Sequence, residues 1–438
     1  MQSTSDNDIV GEDRAVTSLA RRLTTTDAVV IGLSSMIGAG VFAAFGPAAQ
    51  AVLPAGTGAA LLVALGLAAV VAYGNATSSA QLAAQYPTSG GTYVYGRERL
   101  GPWWGYVAGW GFVVGKTASC AAMALTFAAY AAPPGLERPV AALAVVALAA
   151  VNYRGVTRTA RLARWIVAAV LLALAVWTAV ALAGESAWSR VADGPGAAGF
   201  LGGPAGWYGV LQAAGLLFFA FAGYARIATL GEEVRDPQHT VPRAIVGALG
   251  GAVVVYGVVA LTLLAVLGLA GVAGTTAPLA EAVAGTPWAG VVVRVGAATA
   301  SLGALLALVA GVGRTTLAMA REGDLPRWLS AVHPRFRVPH RAEAALAVVV
   351  VALVLTVDLR GAIGFSSFGV LVYYAVANLA AWTQTPEHRR FPRALQAVGL
   401  AGCVALCATL PVAAVLAGAG VLAVGLLVRW ARVRPRAA

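Results

Sequence analysis

Residues 27–50 read DAVVIGLSSMIGAGVFAAFGPAAQ, an apolar stretch whose only charge is Asp27 and whose middle holds a small polar run with Gly32, Gly38 and Gly40. Its length suits a hydrocarbon layer of about 30 Å crossed by a helix rising about 1.5 Å per residue. Its middle is a poor way to build a continuous helix, because glycine loses more conformational freedom on ordering than any other residue. The pattern predicts a membrane-spanning helix that unwinds near Ser35 to Gly40. Backbone unwound in lipid must be satisfied by protein, water or a ligand.

Apolar stretches of this length recur along the whole chain. Of 438 residues, 59% are hydrophobic and 11% are charged, against roughly 25% charged in a soluble globular protein. Twelve spans are predicted, near residues 26–52, 57–84, 102–130, 139–155, 164–184, 206–231, 244–271, 287–319, 342–357, 361–383, 395–410 and 412–430. They divide into a first five-helix half over 26–184, a second over 206–383 and a peripheral pair over 395–430. Tails of 1–25 and 431–438 flank them, and no segment remains for a sizeable soluble domain. The first 25 residues are polar and lack an apolar core with a cleavage site, so they read as a tail rather than a removable signal.

The net charge of +12 is explained by topology. With the N-terminus inside, 24 arginines collect on the cytoplasmic side, among them Arg97, Arg158, Arg314, Arg341 and Arg429, and only Arg138, Arg190 and Arg360 lie outside. That bias predicts a multi-pass protein of the cytoplasmic membrane, in contact with lipid, with both termini cytoplasmic and no nucleic-acid partner. Cys120, Cys403 and Cys407 all fall in apolar stretches, so a disulfide framework is not indicated.

The sixth span, residues 215–234, reads GLLFFAFAGYARIATLGEEV, with Ala222 and Gly223 interrupting an aromatic run. Spans one and six open two halves of opposite orientation, and paired interruptions there point to a midplane site. Small residues also let helices pack closely, which is the alternative reading. If both helices break, second half-helices beginning near Val41 and Tyr224 present amide donors and a positive dipole to a carboxylate. Carbonyls freed near Met36, Ile37 and Ala222 can accept from an ammonium group.

Four stretches then carry a family resemblance: SSMIGAGVF (34–42), YPTSGGTYVYGRERLGPWWGYVAGW (86–110), FFAFAGYARIATLGEEVRDPQHTVPRAI (218–245) and AMAREGDLPRWLSAVHPRFRVPHRA (318–342). Together they resemble the amino acid-polyamine-organocation permeases over nearly the whole chain. The resemblance implies an all-α integral membrane protein with a LeuT-like fold, two inverted five-helix repeats plus two peripheral helices, working by alternating access. It places the substrate carboxylate at Gly38, Ala39, Gly40 and Val41, next to Met36 and Ile37. It places further contacts at Phe112 and Cys120 of the third span, Phe219, Ala222 and Gly223 of the sixth, and Leu308 of the eighth. Phe219 and Ala225 stand where the family's arginine/agmatine exchangers carry tryptophan and a carboxylate, which argues against an arginine-type substrate.

Lys116, the chain's only lysine, falls 14 residues into the third span. Phe112, Lys116 and Cys120 lie four apart, which places the ammonium toward the predicted cavity. Burial favours the neutral form of an amine, making Lys116 a candidate proton carrier; a fixed structural counter-charge is the alternative. Thr299 and Ser301 leave sodium open as the coupling ion. Arg226 and Arg294 also lie inside spans, within reach of an end, so a pathway role and simple extension toward water both stand for Arg226. Glu232 and Glu233 close the sixth span as an anchoring salt bridge or an inner gate pair.

No Asp or Glu lies mid-membrane, which opposes a dibasic substrate. The histidines His239, His333, His340 and His388 all fall in predicted loops, so neither a membrane-embedded enzyme nor a metal or other cofactor is indicated. The sequence therefore reads as a secondary transporter importing a small neutral amino acid by proton symport. An exchanger and a non-transporting sensor on the same fold are the alternatives.

Overall fold

The computed structural model describes residues 23–87, 90–155, 160–184, 204–230 and 233–433. The N-terminal tail through residue 22, Thr88 and Ser89 of the second motif, Arg158, Arg190, Glu232 and the last residues, 434–438, lie outside the described residues.

The first span is broken in its middle. Helix α1 (Thr25–Met36) opens on a capping box in which the Thr24 hydroxyl accepts from the Asp27 amide and the Asp27 carboxylate accepts from the Thr24 amide. It stops at Ile37 and Gly38, whose ψ angles of 12° and −132° leave the helical region. The chain resumes as α2 (Ala39–Ala43) and α3 (Phe45–Val52). The rest of the first half is α4 (Gly58–Gln85), α5 (Thr92–Leu100), α6 (Pro102–Ala131), α7 (Glu137–Tyr153) and α8 (Ala160–Leu182).

The second half repeats the device. Helix α9 (Pro204–Phe221) passes through a tight 3-10 turn at Ala222–Tyr224 into α10 (Ala225–Ala228), only four residues long. Helices α11 (Pro237–Ala273), α12 (Pro278–Glu281), α13 (Pro287–Arg321), α14 (His340–Thr356) and α15 (Leu359–Trp382) follow, and α16 (Arg393–Thr409) and α17 (Val412–Val433) end the chain.

Among the described residues, nine helices are long and apolar enough to cross a membrane. Three of the predicted spans fall on 17-residue helices, α7, α14 and α16, at the short end of what a hydrocarbon layer needs. The described residues contain no β-strand, only one isolated bridge between Leu23 and Val234. Burial separates centre from rim: the α9–α10 segment and α15 bury 78% of their most apolar 18 residues inside protein, while α17 buries 22%. Leu416 and Leu427 of α17 are exposed, as side chains facing lipid should be. At the centre, α6 packs on α13 and α15, and α1 packs on α11 and α8, so the two breaks are enclosed by helices of both halves.

Candidate functional site

The two interruptions meet. A Cβ at Gly40 would stand 2.6 Å from the Ala220 Cα, and one at Gly223 would run into the Ser35 carbonyl. Only glycine allows backbones to approach this closely, so both positions are fixed by contact between the broken helices. Tyr256 of α11 clamps the junction, its hydroxyl 2.6 Å from the Met36 carbonyl oxygen and 3.0 Å from that of Ala220. The Ala222 carbonyl, freed by the 3-10 turn, accepts from Lys116 Nζ at 3.3 Å and from the Tyr374 hydroxyl at 3.3 Å. The carbonyls of Met36 and Ala222 therefore already have protein donors: that of Met36 retains a second lone-pair direction, while both of Ala222's are taken, by Lys116 and Tyr374.

A cavity of about 390 Å³ begins at this junction. Its walls are Ser34, Ser35, Met36, Ala39 and Gly40 from the first span, Phe112, Lys116, Ser119 and Met123 from α6, and Phe219, Ala220, Ala222, Gly223, Ala225 and Arg226 along the sixth. On α13 the lining residues Ala304, Leu308, Gly311, Thr315 and Ala318 recur at helical spacing, so one face of that helix borders the cavity for about 21 Å. The cavity ends among Gly90, Tyr93, Glu233 and Arg314 at the arginine-rich end of the molecule. On the other side of the breaks the protein is packed, with Phe42 edge-on against Tyr130 and Phe221 against Tyr256.

The amides that open α2 and the carbonyl of Ala222 give the site complementary ends. First-turn amides have no acceptor within their own helix and carry the positive end of its dipole, a setting for a carboxylate. The helix begins at Ala39, two residues before the predicted Val41. The second break differs from expectation: α10 ends after four residues, whereas the five residues of α2 run on through the helical Ala44 into α3, so the second break contributes the Ala222 carbonyl rather than a helix dipole.

Other positions fall differently from the sequence reading. Met36, Ala39, Gly40, Phe112, Lys116, Phe219, Ala222, Gly223, Arg226 and Leu308 line the cavity, whereas Ile37, Gly38, Val41 and Cys120 do not. Cys120 is fully buried. The reason is helical phase: two steps of four residues rotate by about 80° in total, so Phe112 and Lys116 share their face with Ser119 and Met123 instead. Gly38 sits against Ala304, where a Cβ would come within 2.8 Å of that side chain. Thr299 is exposed, and Ser301 is buried with no partner for its hydroxyl among the described residues. Arg294 donates to the Tyr130 carbonyl at 3.2 Å, away from the cavity, while Arg226 faces into it. Cys403 donates to Asn75 at 3.3 Å, and no group of three or more metal-ligating side chains occurs among the described residues.

The anchoring ion pairs are not at Glu233, which lines the cavity and has no ion pair within 4.0 Å among the described residues. They centre on Asp324, just past α13. Asp324 is buried, accepts from the Tyr93 hydroxyl at 2.8 Å, pairs with Arg97 at 3.4 Å and bonds Arg429 of α17. Arg429 also lies over the rings of Trp103 and Tyr106. Burial pushes the Tyr93 phenol above its ordinary value, so it remains a donor to the carboxylate. Tyr256, Tyr374 and Asp324 were missed by motif reading. The single tyrosine at position 256, inside the apolar run 244–261 of α11, is the available signal for the clamp.

A broken-helix junction with a cavity leading to one end is the architecture of a solute carrier. Known proteins narrow the class. Residues 23–427 match the amino acid permease family model, and the chain belongs to that family, within the amino acid-polyamine-organocation superfamily. It is 60% identical over 413 residues to an uncharacterized transporter of Mycobacterium tuberculosis (strain ATCC 25618 / H37Rv), covering 93% of this chain and 90% of the relative. It is 25% identical over 426 residues to a branched-chain amino acid permease of Bacillus subtilis (strain 168), covering 90% and 88%. With human cationic amino acid transporter 4 it shares 28% over 386 residues, covering 82% of this chain and 59% of that one. The protein is thus an amino acid transporter rather than an enzyme, embedded in a membrane by multiple spans.

Proposed function

We propose that this permease imports a small neutral amino acid by proton-coupled alternating access, with Lys116 as the coupling group. The contact between Lys116 Nζ and the Ala222 carbonyl carries the reading, because it puts the chain's only lysine in the cavity wall, against the backbone of the sixth-span break. A proton on Lys116 changes the charge of the substrate chamber by one unit where water is scarce, and that is the requirement for linking proton movement to substrate movement. The carboxylate of the substrate sits at the Ala39 and Gly40 amides, its ammonium near Ala222, and its side chain among Phe112, Phe219 and Leu308.

A cationic cargo is disfavoured: among the described residues, Lys116, Arg226 and Arg314 line the cavity against a single carboxylate, Glu233. The relatives' names divide between branched-chain and cationic amino acids, and the charge of this cavity supports the neutral side. With both termini in the cytoplasm of a cell membrane, as the arginine bias favours, the open end of the cavity faces inward.

The test is uptake of a panel of labelled amino acids into proteoliposomes, with and without an inward proton gradient, for wild type and Lys116→Ala. Flux of a neutral amino acid that rises with the gradient, and loses that dependence in the variant, is the expected result. Equal gradient dependence in the variant removes Lys116 from the coupling. No flux for any amino acid sinks the transport reading.

A further inference from the structure

On the closed side of the breaks, at the end opposite the cavity mouth, one arginine holds three helices together. Arg360, in the first turn of α15, donates through one Nη to the side-chain oxygen of Gln50 on α3 at 3.4 Å. Through the other it donates to the side-chain oxygen of Gln212 on α9 at 3.1 Å. Each glutamine is fixed from behind. Gln50 Nε2 donates to the Ala273 carbonyl at the end of α11 at 2.9 Å, and Gln212 Nε2 to the Thr409 carbonyl at the end of α16 at 3.0 Å. A carbonyl can only accept, so both amide nitrogens face away from the arginine and both amide oxygens face it. One guanidinium therefore closes a network through five helix ends.

Counted along the helices, the three side chains stand at similar heights above the junction. Gln212 lies ten residues before Ala222, Gln50 eleven after Ala39, and Arg360 fourteen before Tyr374, whose hydroxyl reaches the Ala222 carbonyl. At about 1.5 Å per residue these separations are about 15–21 Å. Helix α2 runs through Ala44 into α3, so Gln50 is carried on the same helical run as the α2 amides. Helices α3 and α9 are closely paired, since a Cβ at Gly209 would stand 2.6 Å from the Ala51 carbonyl oxygen. Helix α15 packs against α9. A passage from this end to the α2 amides opens when the α3–α9 pair parts from α15, and Arg360 spans that seam.

The chemistry of the contact suits release as well as closure. No carboxylate lies within 4.0 Å of Arg360 among the described residues. Its acceptors are neutral amides, and its buried Nε has no hydrogen-bond partner among those residues. A donor left without a partner away from water is costly, and water satisfies it once the seam opens. A carboxylate in place of either amide would give the guanidinium a charged partner and make the closed form harder to leave.

We propose that Arg360, Gln50 and Gln212 form the latch of the gate opposite the cavity, and that its neutral acceptors set how readily that end opens. The proposal rests on the alternating-access reading and deepens it by assigning positioning residues to one of the two gates.

The experiment is exchange of the amino acid that wild type carries best, in proteoliposomes of determined protein orientation. The half-saturating concentration is measured separately from the Arg360 face and from the cavity face. Apparent affinity from a face scales with the fraction of protein open to it. Arg360→Met, which keeps an apolar stem and removes every donor, should lower that concentration at least twofold from the Arg360 face and raise it from the cavity face. Gln212→Glu should do the reverse, with a threefold or greater rise from the Arg360 face. Arg360→Lys returns the charge without the planar fork and should fall between wild type and Arg360→Met. Gln50→Glu repeats the carboxylate test should Gln212→Glu fail to fold. General damage to the protein would not shift the two faces in opposite directions. Shifts of the same sign in the methionine and carboxylate variants, equal changes at both faces, or no change overturn the latch. Absence of any wild-type flux would instead overturn the transport reading, a result separable from every outcome above.

Discussion

Lys116 Nζ lies 3.3 Å from the carbonyl oxygen of Ala222, with the lysine 92% buried by its 8% residual exposure. An ammonium there holds a carbonyl that a broken helix has released, so the lysine is tied to the fold and to the chamber at once. Replacing it with methionine keeps most of the apolar stem and removes the charge. We expect Lys116→Met to fold, to bind amino acid and to lose the response of uptake to an imposed proton gradient. Binding measured by quenching of intrinsic fluorescence beside gradient-driven uptake separates the two. A variant that still concentrates substrate on a proton gradient would remove the lysine from the mechanism.

Tyr256 holds two carbonyls, those of Met36 and Ala220, with one hydroxyl. Tyr256→Phe leaves its ring contact with Phe221 in place and strips a donor from two buried acceptors. Losing such a donor costs about 1–3 kcal/mol. The expected outcome is a lower unfolding midpoint in detergent and weaker amino acid binding, because the two breaks are no longer held in register. An unchanged midpoint with unchanged affinity would show that water replaces the hydroxyl at no cost.

Gly40 and Gly223 face backbone rather than flexible side chains across the junction. A methyl group at either position forces the broken helices apart, and overpacking of this kind costs about 1–3 kcal/mol. Gly40→Ala and Gly223→Ala should therefore reduce transport more than Gly101→Ala tests of surface strain would suggest, since a Cβ at Gly101 meets nothing within 4 Å and only its φ of 101° is unfavourable. Uptake normalised to the amount of folded protein is the measure. Near-normal uptake by Gly40→Ala would mean that the α2 amides are not where the substrate carboxylate binds.

The fold was legible because lipid removes choices. Apolar length, arginine bias and the two glycine interruptions are properties of the chain in order, and each is read without knowing any tertiary contact. The cavity was legible only in part. Gly40 and Gly223 were found because a backbone break leaves a local mark. Ser119 in place of Cys120 required the true helical phase across eight residues, which spacing by fours misjudges. Arg314 was read as one more charge on the arginine-rich side, because the sequence does not say which face of α13 it occupies. Tyr256 reaches Met36, and Asp324 reaches Tyr93, across more than 200 residues, and separations of that size leave no local pattern.

Asp324 gathers Tyr93, Arg97 and Arg429 at the end of the cavity, tying α5, the end of α13 and the peripheral helix α17 together. The carboxylate and the Arg429 guanidinium are 5% and 8% exposed, so this is a buried pair, whereas the 27% exposed Arg97 contributes a screened and weaker attraction. Removing one member of a buried pair strands the other, at a cost of about 3–5 kcal/mol, while replacing both by apolar groups is often neutral. Asp324→Asn should accordingly lower the unfolding midpoint sharply, and adding Arg429→Met to it should restore part of the loss. Tyr93 also lines the cavity, so the single variant should disturb transport as well. The double variant separates stability from function: recovered midpoint with transport still impaired assigns the network to holding Tyr93 at the cavity wall, and recovery of both assigns it to packing of α17 alone.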